Sequence, residues 1–186
     1  MANPLCPTDC SQALGEVLFI DCAPAINPSE IQRLFITKGN AAPFTDWKTA
    51  AEWTTRINAS GTTADAIREL IVIGDKPAPA SVSKDISGGR KFVVGKDHTV
   101  NFTIDETTDE NYEFMRATEC GGKYRIWYET KGGYLYGGNE GIPASIVIDA
   151  VLNRGADEIE TLNGVATWRS KFSPERTKSP IFTGVV

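Results

Sequence analysis

The chain is poor in the residues that most enzymatic chemistry needs. Its 186 residues include one histidine, His98, two methionines and four cysteines. Long apolar runs are missing too. The longest, such as Leu70–Ile73 and Ile146–Ile148, fall far short of the roughly 20 residues that cross a bilayer as a helix, so no membrane partner is expected. Positive charge is thin and scattered: the net charge is −5, the pI is near 5.0, and the tightest basic pair is Arg90-Lys91. Proteins that grip phosphates show a basic patch or stripe, which argues against a nucleic-acid binder. An acidic chain remains compatible with DNA that slides past without sticking.

The opening Met1-Ala2-Asn3-Pro4 has neither a basic region nor an apolar one, so no secretory signal is expected. The chain then reads as made and kept in a cytoplasm-like compartment. There Cys6, Cys10, Cys22 and Cys120 are expected as reduced thiols rather than a disulfide framework. The C-x3-C-x11-C cluster invites zinc, but structural zinc takes paired short spacings. A fourth ligand would have to be Cys120 or His98. Small buried thiols are the reading preferred here, and no metal or cofactor is expected.

Catalytic patterns fail in turn. A Ser-His-Asp or Cys-His site would need His98 as its base, and His98 sits between Asp97 and Thr99 at a strand entrance, where an exposed turn-edge residue is expected. The stretch Gly89–Asp97 imitates a phosphate loop but has one residue too many between its glycines. It also places Asp97 where Ser or Thr should hold magnesium. Asp105, Glu106, Asp109 and Glu110 lack the alternation and central glycine of a calcium loop. No catalytic, cofactor-binding or metal residue is assigned, and the chain is expected not to be an enzyme.

What is present is a chain rich in strands. At 41% hydrophobic residues it buries a core without help, and its length suits one domain over 1–186. Residues 1–16, with Pro4 and Pro7, read as an extended arm, and residues 173–186 as a C-terminal tail. Strands are expected at Glu16–Asp21, Ile31–Thr37, Leu70–Gly74 (fully buried), Lys91–Val94, Thr99–Asp105, Tyr124–Glu129 and Tyr134–Tyr136, with Ala144–Leu152 paired to Ile159–Lys171. Thr45 is the expected N-cap of a helix over Asp46–Ile57. Its packed face carries Trp47, Ala50, Ala51, Thr54 and Ile57, and Trp47 and Trp53 are taken as packing groups rather than a ligand platform. Thr107–Glu110 fits a capping box that opens a short helix with Tyr112 and Met115 on one face. Roughly eight to ten strands and two helices make a mainly β (α+β) chain, in the pattern of a sandwich or barrel with helical decoration. The expected architecture is an antiparallel β-sandwich or half-barrel with one or two short flanking helices.

The run Val100-Asn101-Phe102-Thr103-Ile104-Asp105-Glu106-Thr107-Thr108-Asp109-Glu110-Asn111-Tyr112 resembles the strand-then-helix segment of phage tail-tube-like virion proteins. Tyr124–Tyr128, the Gly137-Gly138 turn and the closing Ala166-Thr167-Trp168-Arg169 strand also look like such proteins from phages of Bacteroidetes hosts, over about residues 16–176. The resemblance implies a tail-tube-like fold that assembles with copies of itself into rings, hexameric in that family, around a channel that passes DNA. It implies neighbouring virion proteins as partners, DNA only in passage, and a virion location after assembly in the host cytoplasm. It also implies ring contacts through the 1–16 arm, the Tyr124–Tyr136 hairpin and the Ala144–Lys171 hairpin. A head-decoration or head–tail connector protein is the structural alternative. A carbohydrate-binding module, with Trp127, Tyr128, Tyr134 and Tyr136 as a stacking platform, is the alternative from another class.

Overall fold

The computed structural model describes residues 26–155 and 157–182, together with Val17 and Phe19. The 1–16 arm, most of the expected Glu16–Asp21 strand, the cluster Cys6, Cys10 and Cys22, and the last four residues of the tail lie outside the described residues. The described residues form nine strands and two helices, so the chain is mainly β.

Six strands close into a barrel. In order around it come β1 (Ile31–Lys38), β2 (Arg68–Asp75), β4 (Arg90–Ile104), β8 (Thr161–Ser170), β7 (Ile142–Val151) and β5 (Tyr124–Thr130), which returns to β1. Every one of these pairings is antiparallel. Closure of this kind leaves the six strands without a free edge where they pair. The strand count left a sandwich and a barrel both open, and the pairing closes a barrel rather than the sandwich or half-barrel expected as the architecture. Three further strands attach: β3 (Ala80–Ile86) pairs with the first half of β4, β6 (Tyr134–Tyr136) with β5, and β9 (Arg176–Lys178) with β6.

Period-two alternation fills the barrel. β7 buries Ile142, Ala144, Ile146 and Ile148, and β8 buries Leu162, Gly164, Ala166 and Trp168, while the residues between them are exposed. Val100, Phe102 and Ile104 point inward from β4. A Cβ at Gly164 would overlap the Phe102 ring, so that glycine answers to close packing rather than to a turn. α2 (Asp109–Glu119) contributes Met115 and Phe114 to the same core.

β1 is different: seven consecutive residues are buried, because both of its faces are covered. Leu34 and Ile36 pack in the barrel, while Phe35 joins a second cluster with Phe44, Trp47, Trp53, Ile67, Trp127 and Leu135 beneath α1 (Ala50–Ile57). The indoles of Trp53 and Trp127 meet edge to face at 5.4 Å and 82°. Trp53 Nε1 donates to the Trp47 carbonyl and Trp127 Nε1 to that of Gly138, each at 2.7 Å, so neither buried polar tip is left unpaired.

Several local expectations need correction. α1 starts at Ala50, because the Asp46 carboxylate first closes a turn by accepting from Lys48 N and Thr49 Oγ1, each at 3.1 Å. Its buried face carries Trp53 and Arg56, whereas Ala50, Ala51 and Thr54 are exposed. Arg56 is tolerated there because it donates to the carbonyls of Ala42 and Pro43 and to Glu52. α2 is capped by Thr108, not Thr107; Asn111 N donates to Thr108 Oγ1 at 3.3 Å. Met115 turns inward and Tyr112 outward. β2 is buried on one face only, with Ile71 and Ile73 exposed.

Candidate assembly surfaces

The hairpin of β3 and β4 stands apart from the barrel. β8 pairs with β4 only from Lys96 onward, whereas β3 pairs with β4 over Arg90–Asp97. The six residues 90–95 therefore carry the hairpin about 20 Å beyond the wall. Gly88 and Gly89 make its turn with φ of +80° and +71°, a conformation that costs glycine little. The register sets Lys84 opposite Phe92 and Ile86 opposite Arg90. One face thus carries two apolar side chains between two cations. Ile86, Phe92, Val93 and Val94 are all exposed, and no third strand or helix lies over them among the described residues. A two-stranded hairpin with nothing packed on it is marginally stable in water.

A second surface is the outer wall of β2, β4, β8 and β7. One cross-strand row reads Ile73, Thr103, Asn163 and Asp149, and the next reads Asp75, Asn101, Val165 and Val147. Thr103 Oγ1 donates to Asn163 Oδ1 at 2.9 Å and Asn101 Nδ2 to Asp75 Oδ1 at 3.3 Å. At the hairpin end, Asp97 and Arg169 form a two-pronged pair at 2.6 and 2.9 Å. The guanidinium holds the Asp97 carboxyl below its usual range. With Ile71, Ile73 and Val147 well exposed, the wall is an extended, weakly charged sheet face.

The opposite wall is sealed by a buried charge network that sequence reading missed. Glu129, fully buried, accepts from Gln32 Nε2 at 2.9 Å and from Arg33 Nε at 2.8 Å, and the Ser179 hydroxyl donates to its other oxygen. Arg33 also reaches Glu69 at 2.8 Å and the Ile181 carbonyl at 2.7 Å. Residues 176–181, placed in the tail by sequence, are therefore stitched onto β1, β5 and β6. Buried polar groups are hydrogen-bonded, and the polar residues inside the apolar runs of β1 and β5 were the available signal.

His98 is not the exposed residue the sequence implied. It is 1% exposed inside the barrel, its ring stacked on Trp168 at 5.1 Å and 3°. Neither ring nitrogen, nor Trp168 Nε1, has a hydrogen-bond partner among the described residues. Burial, with Lys76 nearby, lowers its pKa. Cys120 is exposed at the end of α2. Among the described residues no three His, Cys, Asp or Glu groups converge on a metal position, and no helix is long and apolar enough to cross a membrane.

The four aromatics of the supposed sugar platform divide between two faces. Trp127 is buried under α1, while Tyr128, Tyr134 and Tyr136 turn toward an open groove of about 760 Å³ at the hairpin end of the barrel. Tyr128 and Tyr136 stack on each other at 4.8 Å, and the Arg176 guanidinium lies 4.5 Å over Tyr134. Their ring faces are occupied by one another and by arginine. Burial, then Tyr136, raises the Tyr128 pKa. No family model, curated protein or solved structure matches this chain.

Proposed function

We propose that the chain is a non-enzymatic structural subunit that works by assembling with copies of itself, as a phage tail-tube or tail-and-neck ring protein does. The observation that carries this reading is the projecting β3–β4 hairpin, which exposes Ile86, Phe92, Val93 and Val94 with no third strand or helix over them among the described residues. Exposed apolar patches of this kind mark interaction sites, and a hairpin too weak to stand alone gains its order from a neighbour. The wall from β2 to β7, with Ile71, Ile73 and Val147 exposed, offers a second contact area for lateral packing. By the stated resemblance the assembly is a tail-tube-like, hexameric ring in a virion, with DNA passing through and other virion proteins at its ends. A net charge of −5 suits a channel that repels phosphates.

Negative-stain microscopy and light scattering of the purified chain test this. Rings or tubes with a central hole are expected. A variant whose residues 83–94 are replaced by a two-residue turn should keep the barrel's melting temperature and lose the assemblies. Assemblies unchanged by that excision, or an intact chain that stays monomeric at every concentration, would overturn the reading.

A further inference from the structure

We propose that copies of this chain bind head to tail, the β3–β4 hairpin of one copy seating on the acidic end of the next, formed by α2 and the 152–160 loop. This rests on the self-assembly reading and adds which surfaces meet and with what polarity.

The closed antiparallel sheet sorts its connections to two ends. Strands alternate in direction around the ring, so segments 39–67, 105–123 and 152–160 leave one end, while the β3–β4 hairpin and residues 171–182 leave the other. Charge follows the same division. Segment 105–123 carries six carboxylates against Arg116 and Lys123, and 152–160 carries Asp157, Glu158 and Glu160 against Arg154. At the opposite end the paired stretch Ala80–Asp97 carries Lys84, Arg90, Lys91 and Lys96 against Asp85 and Asp97. A chain of modest net charge is thus strongly dipolar along the barrel.

The apolar groups match this division. Ile86 and Phe92 lie between Lys84 and Arg90 on one hairpin face. The acidic end exposes Tyr112, Leu152 and Ile159 among its carboxylates. An apolar strip edged by cations and an apolar surface edged by anions are complementary. Within one copy the hairpin points away from the acidic end, so the two meet only between copies. Like charge opposes a hairpin pairing with a hairpin, or an acidic end with an acidic end. An antiparallel pair would satisfy both surfaces at once and stop at a dimer, so association that grows beyond a dimer marks the head-to-tail contact that repeats along an axis.

Two charge-reversed chains test it: Lys84→Glu with Arg90→Glu and Lys91→Glu on the hairpin, and Glu110→Lys with Glu113→Lys and Glu158→Lys on the acidic end. All six positions are exposed. Sedimentation velocity and light scattering would follow association from about 50 mM to about 500 mM salt, a range over which screening sharpens severalfold. The intact chain should associate more weakly as salt rises, and each reversed chain alone at least about tenfold more weakly than the intact one. Mixing the two reversed chains should restore assembly, because each then meets an opposite charge. Intact-strength assembly by either reversed chain, or no recovery on mixing, overturns the head-to-tail contact and leaves self-assembly standing. If a reversed chain fails to fold, the salt series on the intact chain decides, and association that is flat or rises with salt counts against the contact. An intact chain that is monomeric throughout overturns both readings.

Discussion

Replacing Glu129 with leucine removes the acceptor at the centre of the buried network while keeping the side chain's approximate volume. Gln32, Arg33 and Ser179 each lose a partner at once. Taking one member from a buried, hydrogen-bonded charge pair costs about 3–5 kcal/mol, because the other charge stays buried without compensation. Arg33 keeps Glu69 and the Ile181 carbonyl, which places the expected loss near the lower end, about 3 kcal/mol. In a domain of this length each kcal/mol moves Tm by about 2–4 °C, so a drop of roughly 6–12 °C is expected. Urea unfolding should show a lower midpoint with an unchanged slope. The double change Arg33→Met with Glu129→Leu should recover part of the loss, since the less buried Glu69 can return to water. A loss under about 1 kcal/mol, in the range of solvated surface pairs, would refute the claim that this network is dry.

Three further outcomes follow from other parts of the barrel. The pKa of His98 is lowered in the fold, so the unfolded chain takes up the proton first as pH falls below about 6.5, and stability drops by up to about 1.4 kcal/mol per pH unit down to the folded pKa. His98→Phe should flatten that slope in urea titrations at several pH values, and an unchanged slope would assign the acid sensitivity elsewhere. Gly164→Val should destabilise by at least about 1–3 kcal/mol through overlap with the Phe102 ring, and a paired Phe102→Ala should relieve part of it; thermal melts of the single and double variants check this. Trp127→Phe loses the bond to the Gly138 carbonyl and packing against Phe44 and Trp53. A cost of about 1–3 kcal/mol by calorimetry is expected, with secondary structure intact.

The strands that sequence located best are those whose burial is one-sided. Val100, Phe102 and Ile104 alternate cleanly because the other face of β4 meets water, and the same holds for β7 and β8. β3 escaped because Ala80–Ile86 packs against no core. Its residues are nearly all exposed, and it is a strand only through its pairing with β4. His98 was misread although it shares the parity of Val100 and Phe102. The polar neighbours Asp97 and Thr99 drew the reading outward, whereas period two pointed in. For α1, helical spacing puts Trp47, Ala50, Ala51, Thr54 and Ile57 on the packed face and Arg56 off it. The buried Arg56, satisfied by two carbonyls and Glu52, shows that hydrogen-bond capacity decides burial as much as hydropathy does.

The candidate contact surfaces were hidden for a different reason. The carboxylates of 105–123 and of 152–160 are separated in sequence by three strands, β5, β6 and β7, and the cations of 84–96 precede both. Linear inspection records scattered charge near neutrality, and that is how the basic residues here read. Only the strand order reveals the segregation, because closure makes alternate connections emerge together whatever their distance along the chain. Net charge therefore says little about how such a barrel meets its neighbours. A chain at −5 with mixed faces would repel its copies weakly from all sides, whereas one with its anions at one end and its cations on a projecting hairpin would draw the hairpin of one copy to the acidic end of another. The same composition gives either outcome, and topology chooses between them.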